Sequence, residues 1–305
     1  MATLKGQNFR VITRNGSNDW VVVAKSTNCT VTLTNNTDDA SHKDIVGAAA
    51  MPEVISQAWS VQVDSLDVLN IGALLTAIKN NTLFDLIWDE TRTNNNQTSS
   101  ASNWGRRGKA YLNDATFNFN NRENSAKSIQ FTGSGALDSV YDIAESQQIV
   151  TSDSSFTKGQ FVRLYLGSDN TAAPSAVIAS ALNLSLHVSV TLESASTKDT
   201  EGTFDVQEPT GYTYDISTSA LIRGNDTITS SVQAQGLEDL ESIFVDGTPV
   251  KWLIANVSGA NQRTKGTTIV SGSCIVQSLT LNGPNRQNAT YDASLAGYGP
   301  YTVGA

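Results

Sequence analysis

The sequence predicts a mainly β protein: two tandem copies of a small β-sandwich or barrel domain, each with one short flanking helix and a long docking loop. Three observations predict it. The first is an internal repeat. Ala40-Ser41-His42-Lys43-Asp44, followed by Gly47, Pro52 and Trp59-Ser60-Val61-Gln62-Val63, is answered by Ala195-Ser196-Thr197-Lys198-Asp199, followed by Gly202, Pro209 and Tyr214-Asp215-Ile216-Ser217-Thr218. Asp44 and Asp199, Trp59 and Tyr214, and Leu66 and Leu221 all stand 155 residues apart. A fixed period over this length means one supersecondary unit used twice. The second is composition: 16% of the residues are charged, and Thr, Ser and Asn are plentiful, which suits β structure with polar loops. The third is alternation with period two in most of the apolar runs.

Copy one spans 1–145, the polar stretch 146–157 is the linker, and copy two spans 158–305. Each copy opens alike, with Lys5-Gly6-Gln7 and Lys158-Gly159-Gln160 before the strands Asn8–Thr13 and Phe161–Leu166. Asn15-Gly16 has hairpin-turn chemistry, so Val21–Ala24 returns as a strand. Cys29–Leu33 alternates as a half-buried strand, and so do Trp59, Val61, Val63 and Ser65. Between them, Thr34–Gln57 loses the pattern, which predicts a long functional loop. Asn70–Asn80 reads as a short helix with Ile71, Leu74, Leu75 and Ile78 on one stripe. Its counterpart is Leu237–Val245, now at a spacing of 166. The strands Phe84–Trp88 and Val250–Ile254 follow, then Tyr111–Asn120 and Ile275–Asn282. The turns Asn121-Arg122-Glu123-Asn124 and Asn285-Arg286-Gln287-Asn288 lead into last strands at Ser128–Gly133 and Asp292–Gly297.

A net charge of −9 argues against tight nucleic-acid binding, which rests on basic groups neutralising phosphates. The start Met1–Gly6 has no apolar signal core, and no apolar run spans a bilayer; a protein made without export, with no membrane partner, is expected. Cys29 and Cys274 each occupy a small apolar position, as buried thiols do. The repeat also tests catalytic readings. His42 faces Thr197 and His187 faces Thr32, so neither copy keeps the other's histidine, and no metal or cofactor is expected. Gly133-Ser134-Gly135 lacks the rest of a nucleophile elbow. The carboxylate pairs Asp38-Asp39 and Asp89-Glu90 are not kept in copy two. Arg106-Arg107-Gly108-Lys109, the one dense basic cluster, reads as a solvated turn or a contact with an acidic neighbour. What remains is the pair of Ser-x-Lys-Asp loops. Ser41, Lys43 and Asp44, with Ser196, Lys198 and Asp199, are the candidate inter-subunit docking residues. A loop that docks on the next domain each time makes a head-to-tail contact, which closes rings or grows filaments.

Thr27-Asn28-Cys29-Thr30-Val31, the Ser-x-Lys-Asp loop with its glycine, Trp59-Ser60-Val61 and the ending Asn124–Gly135 resemble the major tail proteins, or tail tube proteins, of long-tailed bacteriophages. The resemblance covers nearly all of copy one and reaches copy two through the repeat. It implies two packed β-sheets with a flanking helix, and no enzyme activity or cofactor. It also implies a virion protein, made in the host cytoplasm, whose six-domain rings stack into a tube. The partners implied are further copies of itself, other tail proteins at the tube ends, and DNA passing an acidic lumen without specific binding. Two copies per chain depart from the usual single domain. Three chains could then supply six domains, or six chains could form the ring with copy two outside. A β-sandwich adhesin or glycan-binding virion component is the alternative function, with Trp104, beside Gly105, as its candidate platform.

Overall fold

A computed structural model of the chain describes residues 6, 9–14, 20–23, 26–40, 50–66, 71–90, 105–138, 157–200, 202–222, 234–258 and 264–304. The first half contains β1 (Phe9–Arg14), β2 (Trp20–Val22), β3 (Ser26–Asp39), β4 (Pro52–Ser65), α1 (Ile71–Lys79), β5 (Leu83–Glu90), β6 (Gly105–Asn118) and β7 (Ala126–Gly133). The second contains β8 (Val162–Leu166), β9 (Ala176–Ile178), β10 (Ala181–Ser194), β11 (Gln207–Leu221), β12 (Ala234–Gln235), α2 (Leu237–Asp246), β13 (Val250–Ser258), β14 (Thr264–Asn282) and β15 (Thr290–Val303). The fold is mainly β, as expected, with two short α-helices among the described residues.

Among those residues the strands form one open sheet. Within the first half the hydrogen-bonded order is β3-β4-β7-β6-β5-β1-β2, and within the second it is β10-β11-β15-β14-β13-β8-β9, with β12 added at the edge. All pairs are antiparallel except β12 with β9. The two stretches join where β10 pairs with β6, Ser185 opposite Asn118 and Ser189 opposite Asp114. The sheet therefore runs unbroken from one half into the other.

Large rings sit over glycines in both halves. Trp59 packs on Gly108 and Gly133, where an added Cβ would come within 2.5 and 2.1 Å of its ring. Tyr214 occupies the matching place over Gly297, where the added Cβ would lie 2.7 Å from its ring. Trp59 also meets Trp88 at 5.4 Å between centroids, and Tyr214 meets Trp252 at 5.6 Å. On α1, Ile71, Leu75 and Ile78 are buried, and on α2 Leu240 and Ile243. Each such side chain contributes about 1.5–3 kcal/mol of burial. Acidic Glu238 and Asp239 suit the helix dipole at the start of α2, and the Asp239 carboxylate accepts the Gly236 N–H at 3.0 Å. Gly247, with φ of 61°, stops α2 in the left-handed conformation.

Several boundaries move. Thr34–Asp39 and Pro52–Gln57 are strand rather than loop: β3 and β4 stay paired out to Asp39 opposite Pro52. The outer arm is exposed on both faces, so no face was selected for apolar residues and no alternation marked it. Arg106–Lys109 lies inside β6 rather than in a turn. β14 begins at Thr264, well before Ile275, and β15 runs on to Val303, past Gly297. Ser41, Lys43, Asp44, Trp104 and all of the linker except Thr157 fall outside the described residues.

Candidate functional site

The junction of the two halves is assembled from three places. The first is the β10–β6 ladder. Leu186 stands opposite Phe117 and Val188 opposite Ala115, and Leu186, Val188, Phe117 and Ala115 are all buried. The ladder continues past the strands, with Phe119 and Leu184 exchanging backbone hydrogen bonds at 2.8 and 3.2 Å and the Asn121 N–H reaching the Leu182 carbonyl at 2.9 Å. The second is the segment that begins the second half. Ser125 N–H donates to the Thr157 carbonyl at 2.8 Å, and Gly159 N–H to the Glu123 carbonyl at 2.9 Å. A Cβ at Gly159 would lie 2.3 Å from the Asn120 carbonyl oxygen, so only glycine seats this close.

The third is the 195–206 loop, which docks on the first half. Gln57 N–H donates to the Thr203 carbonyl at 2.7 Å, Asp205 N–H to the Gln57 carbonyl at 2.9 Å, and Gly135 N–H to the Asp205 carbonyl at 2.8 Å. Ser134 Oγ donates to the Gln207 carbonyl at 3.1 Å and accepts the Gln207 N–H at 3.0 Å. Ser134 thus clasps the two halves. Of the candidate docking residues, Ser196 closes the base of this loop, its Oγ accepting the Val206 N–H at 2.9 Å. Lys198 and Asp199 lie at the exposed turn. The contacts to the first half come from Thr203, Asp205 and Gln207, which the repeat gave no reason to single out.

His187 on β10 sits between two carboxylates, Nδ1 2.8 Å from Asp215 and Nε2 2.8 Å from Asp114 of the other half. Burial disfavours its charged form, but the hydrogen bonds to Asp114 and Asp215 outweigh that and raise its pKa above the ordinary value. In the sequence this histidine stands alone, because its partners lie 28 and 73 residues away. Helix α1 also touches the second half: Tyr301 Oη donates to the Leu75 carbonyl at 2.6 Å, and Lys79 Nζ to the Tyr301 carbonyl at 3.3 Å.

The other candidates have structural partners. Asp89 is fully buried and paired with Arg10, Nε to Oδ1 at 2.6 Å. Arg107 is bound bidentately by Asp85, and Arg106 donates to the Gly105 carbonyl at 2.8 Å. Cys29 and Cys274 are unpaired, and burial pushes each thiol up to about 12. Trp59, Trp88 and Trp252 are buried. Among the described residues no group of three metal-ligating side chains converges, and no helix is long and apolar enough to cross a membrane.

The sequence model of the family described as phage tail tube protein matches residues 183–303. It falls on the second half, whereas the tail-protein motifs read from the sequence lie mostly in the first. No curated protein matches the chain. Among solved structures, the tail of an empty gene transfer agent particle refined with C6 symmetry aligns at 16% identity over 49% of this chain and 99% of its own, TM-score 0.37. The native gene transfer agent virion gives 16%, 49%, 99% and 0.36. The SPP1 tail tube, from solid-state NMR and cryo-EM, gives 14%, 48%, 78% and 0.34. At these scores the likeness carries no functional weight. The sequence match is the stronger finding: over residues 183–303 the chain is similar to the phage tail tube proteins.

Proposed function

We propose that the chain self-assembles into stacked rings that form a phage tail tube, the conduit for the genome at ejection. Three chains supply six like domains per ring, giving threefold symmetry with a pseudo-sixfold lumen. The domains are 1–145 and 158–305, joined by 146–157, and each is a β-sandwich. The observation that carries the reading is the identical strand order of the two halves joined head to tail through β6 and β10. A head-to-tail contact repeats until it closes or runs on. The sandwich reading is supported by Trp59 of β4 packing on Trp88 of β5, strands that are not neighbours in the sheet. Tyr214 of β11 packs on Trp252 of β13 in the same way. The net charge of −9 keeps a lumen from holding DNA by counterion release. Other tail proteins cap the ends of the tube.

In this reading Ser41, Lys43 and Asp44, with Ser196, Lys198 and Asp199, belong to loops that each lie across the next domain. Sedimentation of purified protein tests it. The parent chain is expected to form trimers or longer tubes, and Asp44→Lys with Asp199→Lys to give folded chains that do not assemble. Assembly of that double variant at the parent's level would remove these residues from the interface.

A further inference from the structure

We infer that β3 of one chain pairs antiparallel with residues 275–282 of β14 in a second copy, repeating between chains the β10–β6 junction found within one. The inference rests on the two halves being like domains. It adds the two surfaces, the register and the partner.

Among the described residues both edges are open. β3 pairs only with β4 among the described residues, so the backbone groups on its other side point away from the sheet. β14 is flanked by β15 along most of its length, but β13 leaves its other side at Cys274. That segment corresponds to the part of β6 that β10 occupies: β5 pairs with β6 up to Tyr111, and β10 takes over from Asp114 to Asn118. The repeat spacings, 155 for β10 and 164 for β6, convert the internal register directly. Thr30 then faces Asn282, Val31 faces Leu281, Thr32 faces Thr280, Leu33 faces Leu279 and Thr34 faces Ser278.

The exposed apolar residues fall where this pairing would cover them. Leu33 is 63% exposed and Leu281 is 52% exposed, while their counterparts in the internal junction, Val188 and Phe117, are at 0%. Phe244 on α2 is 46% exposed, and its counterpart Ile78 on α1 is at 1%. Ile78 shares a crevice with Pro209, whose counterpart Val54 is 40% exposed. One face of the first half and the opposite end of the second therefore leave bare what the junction buries. Gly6 agrees: a Cβ there would meet nothing within 4 Å, whereas at its counterpart Gly159 it would strike the Asn120 backbone. Neither edge is blunted, since 26–39 and 275–282 contain no lysine or proline, the usual protection of an unpaired strand.

Because the two edges differ, single variants can complement each other. Leu33→Asp and Leu281→Asp each spoil one edge of the full chain at an exposed position and should fold, as circular dichroism would verify. Each alone is expected to stop at monomers. Mixed in equal amounts, they are expected to form dimers and nothing larger, because only one good edge of each kind remains. Thr32→Cys with Thr280→Cys should give disulfide-linked chains on oxidation, since opposed residues of an antiparallel pair lie within disulfide reach. Thr32→Cys with Ser278→Cys, out of register, should not. Parent-like tubes from either Asp variant, or links from the out-of-register pair at equal yield, would overturn the edge pairing and leave the tube reading standing. A parent chain that stays monomeric at all concentrations and salts would overturn both.

Discussion

Gly133 lies beneath the Trp59 ring, with room for no more than a hydrogen on its Cα. Gly133→Ala must push the indole aside, and overpacking of this kind costs about 1–3 kcal/mol. That exceeds the roughly 0.4–1 kcal/mol gained from a stiffer unfolded chain, so the melting temperature is expected to fall. Gly211→Ala, where a Cβ meets nothing within 4 Å, is the control and should leave it unchanged or raised. His187 makes a second prediction at this scale. Its folded pKa is raised, so its stabilisation is fully present below the ordinary histidine value and is lost as pH rises through the folded one. Thermal melts from mildly acid to alkaline pH should lose stability across that window in the parent, and His187→Asn should flatten the step. A parent profile no steeper than the variant's would contradict the assigned role. The sequence showed neither device. Trp59 was legible as an inward strand residue and Gly133 as a small one, but contacts across 74 residues leave no local pattern. The same holds for His187 and its two carboxylates.

Among the elements, β1 and β5 are held by more than their ladder. Arg10 and Asp89 stand opposite each other in register and form a buried ion pair. Removing one partner strands a buried charge, which costs about 3–5 kcal/mol. Asp89→Ala should therefore lower the denaturant midpoint strongly, and Arg10→Met added to it should recover much of the loss. In the second half Arg163 faces Ala255 across the matching strands, so the topology itself does not require the carboxylate. Both helices were readable in the sequence to within a residue or so, because each carries an apolar stripe that must be buried. Strands with one buried face were readable too. The outer arms of β3 and β4 were not, because both faces meet solvent and their apolar residues, Val54 and Ile55, stand side by side rather than alternating. Backbone pairing holds such an arm, and backbone pairing has no signature in side-chain pattern.

At the scale of the molecule, the like spacing of motifs in the two halves made the order of elements legible. It did not show that the sheet would run on through β6 and β10, because a ladder between distant strands depends on which edges are left open. The 195–206 loop meets the first half of the same chain. The residues that dock it, Thr203 and Asp205, lie beyond the Ser-x-Lys-Asp core that drew attention. The central claim is that one chain supplies two neighbouring positions of a ring. Electron microscopy of the purified assembly, with end-on views classified by rotational symmetry, tests it most directly. The account predicts threefold rings with six near-equal lobes around the lumen; true sixfold rings with extra density outside the tube would contradict it.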